Sequence, residues 1–484
     1  MTEPDPRRWR ALWVSQLAGF MGLLDVSIVN VALPSMQRGV GASAAEIQWV
    51  ISGYALAFGL VLVAGGRLGD AIGRRRMFLF ALAGFVITSA LCGLAPTAEL
   101  LVVARLAQGV SAGMLSPQNA GLVQDLFRGA ERAKAFGILG ATIGLSTAAG
   151  PIAGGLILAA AGGDDGWRWI FLVNVPIGLV ALVVAARVLP HSPRAAPRVL
   201  REIDVVGALL LGAGVLCVLL PVVAGAERGG LAGMWWLFLV AVALLAAFVR
   251  WEYWLARRGR APLLDPVLVT GTPGYPAGSL IGLTYFVGFS GIWLALALFF
   301  QVGLGYTPLE SGLAVTSFAI GSAASAALAG RVVSRLGRSV TTIGLVTVTI
   351  GLVGTAVVLA LVPTHWAGWA AALPLLVAGI GGGAVISPNF TLTLESVPVR
   401  MAGAAGGALQ TGQRIGSAVG TAVLAAVFYG VSAGRDDYRP AIAAAMLTAA
   451  AFVLVSLVIA ILEQRARRRW PTATPTPAVA GPIG

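Results

Sequence analysis

Gly66-Arg67-Leu68-Gly69-Asp70-Ala71-Ile72-Gly73-Arg74 returns, as the pattern GRxxxxxGR, at Gly330-Arg331-Val332-Val333-Ser334-Arg335-Leu336-Gly337-Arg338. Each copy is too polar to cross lipid and lies between two apolar runs, so each reads as a tight turn between membrane spans. A second pair of motifs keeps nearly the same displacement. Gly109-x-x-x-Gly113 followed by Ser116-Pro117 is matched by Gly379-x-x-x-Gly383 followed by Ser387-Pro388. A chain that repeats its turns and its glycine spacing in this way reads as two copies of one helical unit.

Outward from these turns, about 20 apolar residues per crossing give fourteen spans. They fall at approximately 12–33, 47–66, 77–95, 99–121, 135–160, 169–189, 205–224, 233–250, 275–300, 309–332, 340–361, 367–393, 403–430 and 441–462. Corresponding elements sit eight spans apart, so the simplest decomposition is six spans, an inserted pair, then six. That gives an N-terminal six-helix bundle (1–190), an inserted two-helix hairpin with flanking loops (191–274), a C-terminal six-helix bundle (275–463) and a basic, then disordered tail (464–484). The expected fold class is an all-α polytopic membrane protein. Two homologous six-helix bundles enclosing a midplane site are the architecture of rocking-bundle transporters.

Composition agrees. With 58% hydrophobic residues, 11% charged residues and a mean hydropathy of +0.88, the chain is far outside the range of a soluble globular protein. The formal charge of +13 is scattered between apolar runs, with no soluble domain to present a basic patch, so nucleic acid is excluded as a partner. Of the 33 Lys and Arg residues, 26 fall on the side of the termini, five on the other side, and Arg105 and Arg414 within spans. The positive-inside rule therefore places both termini in the cytoplasm.

Other function classes fall away residue by residue. The first apolar run is too long for a signal-peptide core and contains Asp25, so it reads as an uncleaved span. The single lysine, Lys134, follows Ala133 rather than the glycine of a phosphate-binding loop, so no ATP motor is encoded. Cys92 and Cys217 fall in spans and imply no disulfide framework. No catalytic cluster, cofactor motif or metal-ligand spacing stands out, so the chain is not read as an enzyme. Arg465-Ala466-Arg467-Arg468-Arg469 reads as an anchor for anionic lipid headgroups, and the Pro- and Thr-rich stretch from Pro471 as disordered.

Asp25 is the first functional clue. A carboxylate in hydrocarbon costs about 2.5–3.5 kcal/mol on insertion scales, so it faces a protein interior or a water-filled cavity. On a helical wheel it shares its face with Ala18, Met21, Gly22, Val29 and Ala32. In span four, Arg105, Gly109, Ala112 and Ser116 form one small, polar face with Gln108 beside them, the lining of a cavity. Arg105 is the expected counter-ion of Asp25, because an unpaired guanidinium at that depth is equally costly. Gly403, Gly407, Gln410, Arg414, Ser417 and Thr421 make a second such stripe in span thirteen. Tyr285, Phe289 and Trp293, at four-residue spacing in span nine, could stack on an aromatic or cationic compound. The candidate pocket is thus Met21, Tyr54, Gln108, Tyr285, Phe289, Trp293, Gln410 and Arg414.

Five stretches, in order, resemble the fourteen-span drug:proton antiporter family of the major facilitator superfamily. They are Leu24-Asp25-Val26-Ser27-Ile28-Val29-Asn30-Val31-Ala32-Leu33-Pro34, Gly66 to Arg76, Arg105-x-x-Gln108-Gly109, Gly150-Pro151-x-x-Gly154-Gly155, and Trp167-Arg168-Trp169-Ile170-Phe171-Leu172-Val173-Asn174-Val175-Pro176-Ile177-Gly178. The resemblance implies a major facilitator fold and proton coupling through Asp25 and Arg105. It implies a cytoplasmic gate of Gly66, Asp70, Gly73, Arg74 and Asp125, with Asp70 docking at the start of span thirteen near Gly403 and Arg74 pairing with Asp125. It assigns Gly150, Pro151, Gly154 and Gly155 to the antiporter motif, as a seal against leak. Two departures stand out. Ser334 occupies the place of Asp70 in the second copy, leaving one strong gate. Span thirteen has Gln410, Gln413 and Arg414 where some members carry an acid, which speaks against polyvalent cations as substrates. The expectation is a monomeric inner-membrane exporter of amphipathic, aromatic or cationic drugs or antibiotics, working by alternating access in exchange for protons, the alternative being an exporter or proton symporter of a specific metabolite on the same fold.

Overall fold

The computed structural model describes residues 7–163, 165–190, 204–224, 233–260, 262–433 and 437–469. Among them there is no strand. The chain is a succession of helices: α1 (Arg8–Val40), α2 (Ala44–Ile72), α3 (Arg74–Gly93), α4 (Ala98–Leu126), α5 (Gly129–Ala161), α6 (Arg168–Leu172), α7 (Asn174–Val188), α8 (Val205–Ala224), α9 (Trp236–Arg257), α10 (Val267–Thr270), α11 (Tyr275–Ala297), α12 (Pro308–Leu336), α13 (Arg338–Leu361), α14 (Ala367–Thr393), α15 (Ala402–Ser432) and α16 (Arg439–Arg469). By length and composition, twelve stretches of the described residues can cross a membrane. Helices α5 and α8 add shorter apolar stretches, Ile152–Ala161 and Val205–Pro221. The sixth expected span is split at Val173 into α6 and α7, and α11 ends in a π-helical turn, Leu298–Gly303. Most of the Pro190–Arg201 loop and the expected disordered tail lie outside the described residues.

The two GRxxxxxGR turns are built alike. Gly73, at φ 98°, and Gly337, at φ 54°, are one-residue junctions between α2 and α3 and between α12 and α13. Such backbone angles are open to glycine and strained for other residues. The opposite ends of α2 and α12 also match. Ser43 accepts from the Glu46 amide while Glu46 accepts from the Ser43 amide, and Thr307 and Glu310 do the same. Each such box satisfies amides that the first turn of a helix leaves without partners.

The repeat extends to packing. Helices α1 with α5, α2 with α4, and α3 with α4 pack as α11 with α15, α12 with α14, and α13 with α14. The Gly-x-x-x-Gly pairs make two of these contacts: Gly109 and Gly113 lie on the α2 backbone at Tyr54 and Phe58, and Gly379 and Gly383 on α12 at Phe318 and Ser322. Between the two sets run two seams, α2 against α15 and α5 against α12. The hairpin α8–α9 covers only the first, with Val215 and Leu219 buried beside Leu56 and Ile415.

Replacing Gly73 with alanine is expected to cost about 1–3 kcal/mol of stability. A thermal unfolding midpoint in detergent equal to that of the parent would contradict the strain.

Candidate functional site

Asp25, in the middle of α1, and Arg105, two turns into α4, are each 1% exposed. One Arg105 guanidinium nitrogen donates to Asp25 Oδ2 at 2.5 Å and to Gln108 Oε1 at 2.7 Å, while Nε donates to the Val50 carbonyl at 3.0 Å. Gln108 Nε2 donates to Asp25 Oδ1 at 3.1 Å, and the Cys92 thiol to Gln108 Oε1 at 3.4 Å. The guanidinium carbon lies 4.2 Å from the centre of the Tyr54 ring and 5.5 Å from that of Phe171. A buried ion pair holds together only when its remaining hydrogen-bonding capacity is used, and this one is closed by a carbonyl, an amide and two rings. Val50, Phe171 and Cys92 were not singled out by sequence reasoning. Val50 and Phe171 are distant in the chain, and only the fold brings them to Arg105 and Cys92 to Gln108.

Beside this pair a cavity of about 530 Å³ lies between the two sets of helices, within the usual range for small-molecule sites. Asp25 does not line it, although its helical neighbours Gly22 and Val26 do. Of the expected pocket residues, Phe289, Trp293, Gln410 and Arg414 form the wall. Met21, Tyr54, Gln108 and Tyr285 are buried behind it. Met21 and Tyr54 pack with Phe58, Leu62 and Phe85, and Tyr54 donates to the Gly22 carbonyl at 3.0 Å. Gln108 is held by Arg105 and Asp25. The wall also contains Phe58, Phe286 and Phe318, which sequence spacing did not reveal.

At the end carrying Gly73 and Gly337 the two sets of helices are fastened together. Asp70 Oδ1 accepts from the Gly403 amide at 3.1 Å and Oδ2 from the Ala404 amide at 2.9 Å, where a carboxylate meets the positive end of α15. Gly66 lies directly on the Gly403 backbone, with no room for a side chain. Arg74 donates to Asp125 at 2.6 Å, lies 2.9 Å from Asp70, and reaches the Val399 carbonyl at 2.9 Å. In the second copy Ser334 is exposed, and Arg338 is paired with Glu463 at 2.6 Å and Asn389 at 2.8 Å. There the seam closes through glycine instead, Gly330 against Gly137. Gln124 Nε2 adds a bond to the Leu394 carbonyl at 2.7 Å. The cavity lining runs from Asn119 and Phe390 away from this fastened end to Gln301 and Ser311.

In α5, Gly150 sits against Ser27 of α1, whose hydroxyl donates to the Ser146 carbonyl at 3.1 Å. Gly154 is buried and Gly155 faces open space, while the Pro151 side chain lies outside the described set. Asn174 Nδ2 donates to Ser89 Oγ at 3.2 Å, and Arg168 reaches the Gly93 and Ala95 carbonyls, so the Trp167–Gly178 motif pins α6 and α7 to α3.

The sequence profile of the Major Facilitator Superfamily matches residues 17–421 and 278–481. The chain belongs to this superfamily. As a major facilitator protein it is a multi-pass membrane transporter. It is 38% identical over 431 residues to the "Probable actinorhodin transporter" of Streptomyces coelicolor, covering 88% of this chain and 74% of that protein. It is 36% identical over 441 residues to the puromycin resistance protein of Streptomyces alboniger, covering 89% and 84%. Among solved structures, the human organic anion transporter MFSD10 superposes with a TM-score of 0.66 at 16% identity, over 94% of this chain and 100% of that one, a likeness of fold alone.

Two outcomes follow for this facilitator. Asp25→Leu or Arg105→Leu alone should cost about 3–5 kcal/mol, because the surviving charge is left buried without its partner; the double variant should lose clearly less than the sum, read from unfolding midpoints in detergent. Asp70→Asn should weaken the docking on α15 by about 0.3–1 kcal/mol, moving the ratio of fastened to released molecules about two- to fivefold. Distance distributions between spin labels at Arg76 and Arg335 would report it, and unchanged distributions would contradict a fastening role.

Proposed function

We propose that this major facilitator protein is a proton-driven exporter of drug-sized amphipathic organic molecules, working by alternating access. The observation that carries the reading is the juxtaposition of a buried acid–guanidinium pair with a central cavity fastened at one end. A helix that carries the pair also lines the cavity, through Gly22 and Val26 on either side of Asp25. Occupancy and release of the cavity therefore bear on the position of α1, and moving α1 against α4 changes the company of the carboxylate. A proton taken up by Asp25 when Arg105 draws away would exchange for cargo. The named roles of the relatives in antibiotic transport and resistance support the same reading.

In this reading the chain crosses the plasma membrane fourteen times as a monomer, with α5 and α8 among the spans. Both termini and the fastened end face the cytoplasm. Residues 1–190 and 275–463 tilt against each other, 191–274 ride along as an inserted pair, and the basic end of α16 meets anionic lipid. Asp70 and Arg74 with Asp125 hold the cytoplasmic side shut. Gly150 keeps α5 close to α1, and the motif of Gly150, Pro151, Gly154 and Gly155 serves as a seal against proton leak.

The test is a reconstituted vesicle carrying a pH-sensitive dye and an imposed pH gradient. Adding a transported compound should drive protons in the direction opposite to it, at about 2.3 kcal/mol per charge per 100 mV of driving force. Asp25→Asn should abolish gradient-driven movement. Undiminished proton-coupled exchange by that variant would remove Asp25 as the carrier, and co-directional fluxes would favour a symporter.

A further inference from the structure

Arg414 is the one ionisable side chain among the described residues that line the central cavity. It stands on α15 with Gln413 and Ser417 on the same side, and its guanidinium carbon lies 4.3 Å from the centre of the Phe58 ring. The ring supports one face of the cation but supplies no counter-charge. Among the described residues Arg414 has no carboxylate within ion-pair distance, whereas Arg105 is neutralised by Asp25 and lies behind the wall. A guanidinium held in a largely apolar cavity without an anion is costly; its planar fork matches the paired oxygens of a carboxylate, and one of its N–H groups can pair with a phenolate oxygen. On the neighbouring helices α11 and α12, which also line the cavity, the Trp293 ring meets Phe289 and Phe318 edge-to-face and the two phenyl rings are tilted to each other, with ring centres 4.9–5.8 Å apart. The Trp293 indole N–H in that wall is buried with no acceptor.

One fixed cation and a wall of rings, with no acid in the lining, describe complementarity to a particular kind of guest. We propose that the cavity selects amphipathic aromatic anions, with Arg414 as the docking charge for a carboxylate or phenolate and the Phe289–Trp293–Phe318 cluster as the bed for the ring system. This rests on the export reading and supplies its substrate class. Of the aromatic or cationic cargo that the sequence allowed, the lining favours aromatic molecules of the opposite charge. Arg414 acts by binding and sets specificity; it takes no part in carrying the proton.

The probes are three compounds that share a ring system and differ in charge: 1-pyrenebutyrate, 1-pyrenebutanol and 1-pyrenebutylamine. Their binding to the full-length protein in detergent, without any gradient, is followed by pyrene fluorescence. The parent protein should bind the butyrate at least tenfold more tightly than the amine. Arg414→Gln should weaken the butyrate at least tenfold more than it weakens the alcohol, and Arg414→Lys should restore much of the preference. The proposal is overturned if the amine binds as well as or better than the butyrate, if Arg414→Gln leaves the order intact, or if none of the three binds. The same compounds in proteoliposomes with a pH gradient separate the two readings. Selective binding of the butyrate without gradient-driven movement would sink proton-driven export and leave the charge preference standing.

Discussion

Backbone that touches backbone, with no side chain between, is the constraint on which the rest of this molecule depends. Gly66 lies on Gly403 and Gly330 on Gly137, so at one end the two sets of helices approach as closely as main chains allow. Small residues permit such contact between membrane helices, where dispersion and hydrogen bonding replace the hydrophobic effect. Because α2 is pressed onto the start of α15, Asp70 needs no long side chain to reach two free amides. The same closeness places Arg74 where it can serve Asp70, Asp125 and the Val399 carbonyl together. Seen this way, the polar bonds choose between arrangements that the glycines have made possible.

The two intramembrane arginines divide the electrostatic work. Arg105 is enclosed by an acid, an amide, a carbonyl and two rings, so nothing of its charge is left for a guest. Arg414 has a ring beside it and open cavity in front. In the proposed reading, coupling and recognition sit on different helices, α1 with α4 for one and α15 with α11 for the other. They meet through Ser116, whose hydroxyl donates to Gln410 across the cavity.

Much of this was legible in the sequence because the decisive residues carry strong local signals. The paired turns could be read from glycine and arginine spacing, and the Asp25–Arg105 pair from the cost of either charge alone in lipid. The contact of Asp70 with Gly403 followed from family resemblance. What was not legible depended on rotation and distance. Tyr285, Phe289 and Trp293 looked like one stripe, but each step of four residues turns about 40° past a full circle. Over two steps Tyr285 swings behind the wall that Phe289 and Trp293 form. The Val50 carbonyl and Cys92 belong to spans that are unremarkable as sequence, and only packing reveals their use. Ser43–Glu46 and Thr307–Glu310 are matching helix starts whose signal is weaker than that of the paired turns.

The hairpin α8–α9 makes an otherwise symmetrical body one-sided. Val215 and Leu219 roof the groove between α2 and α15, while among the described residues no such roof covers the groove between α5 and α12, where Leu145, Leu313 and Ile320 face outward. An oily solute diffusing within the leaflet therefore meets a shuttered flank on one face and bare helices on the other, so any sideways doorway into the interior would lie on the unshuttered flank.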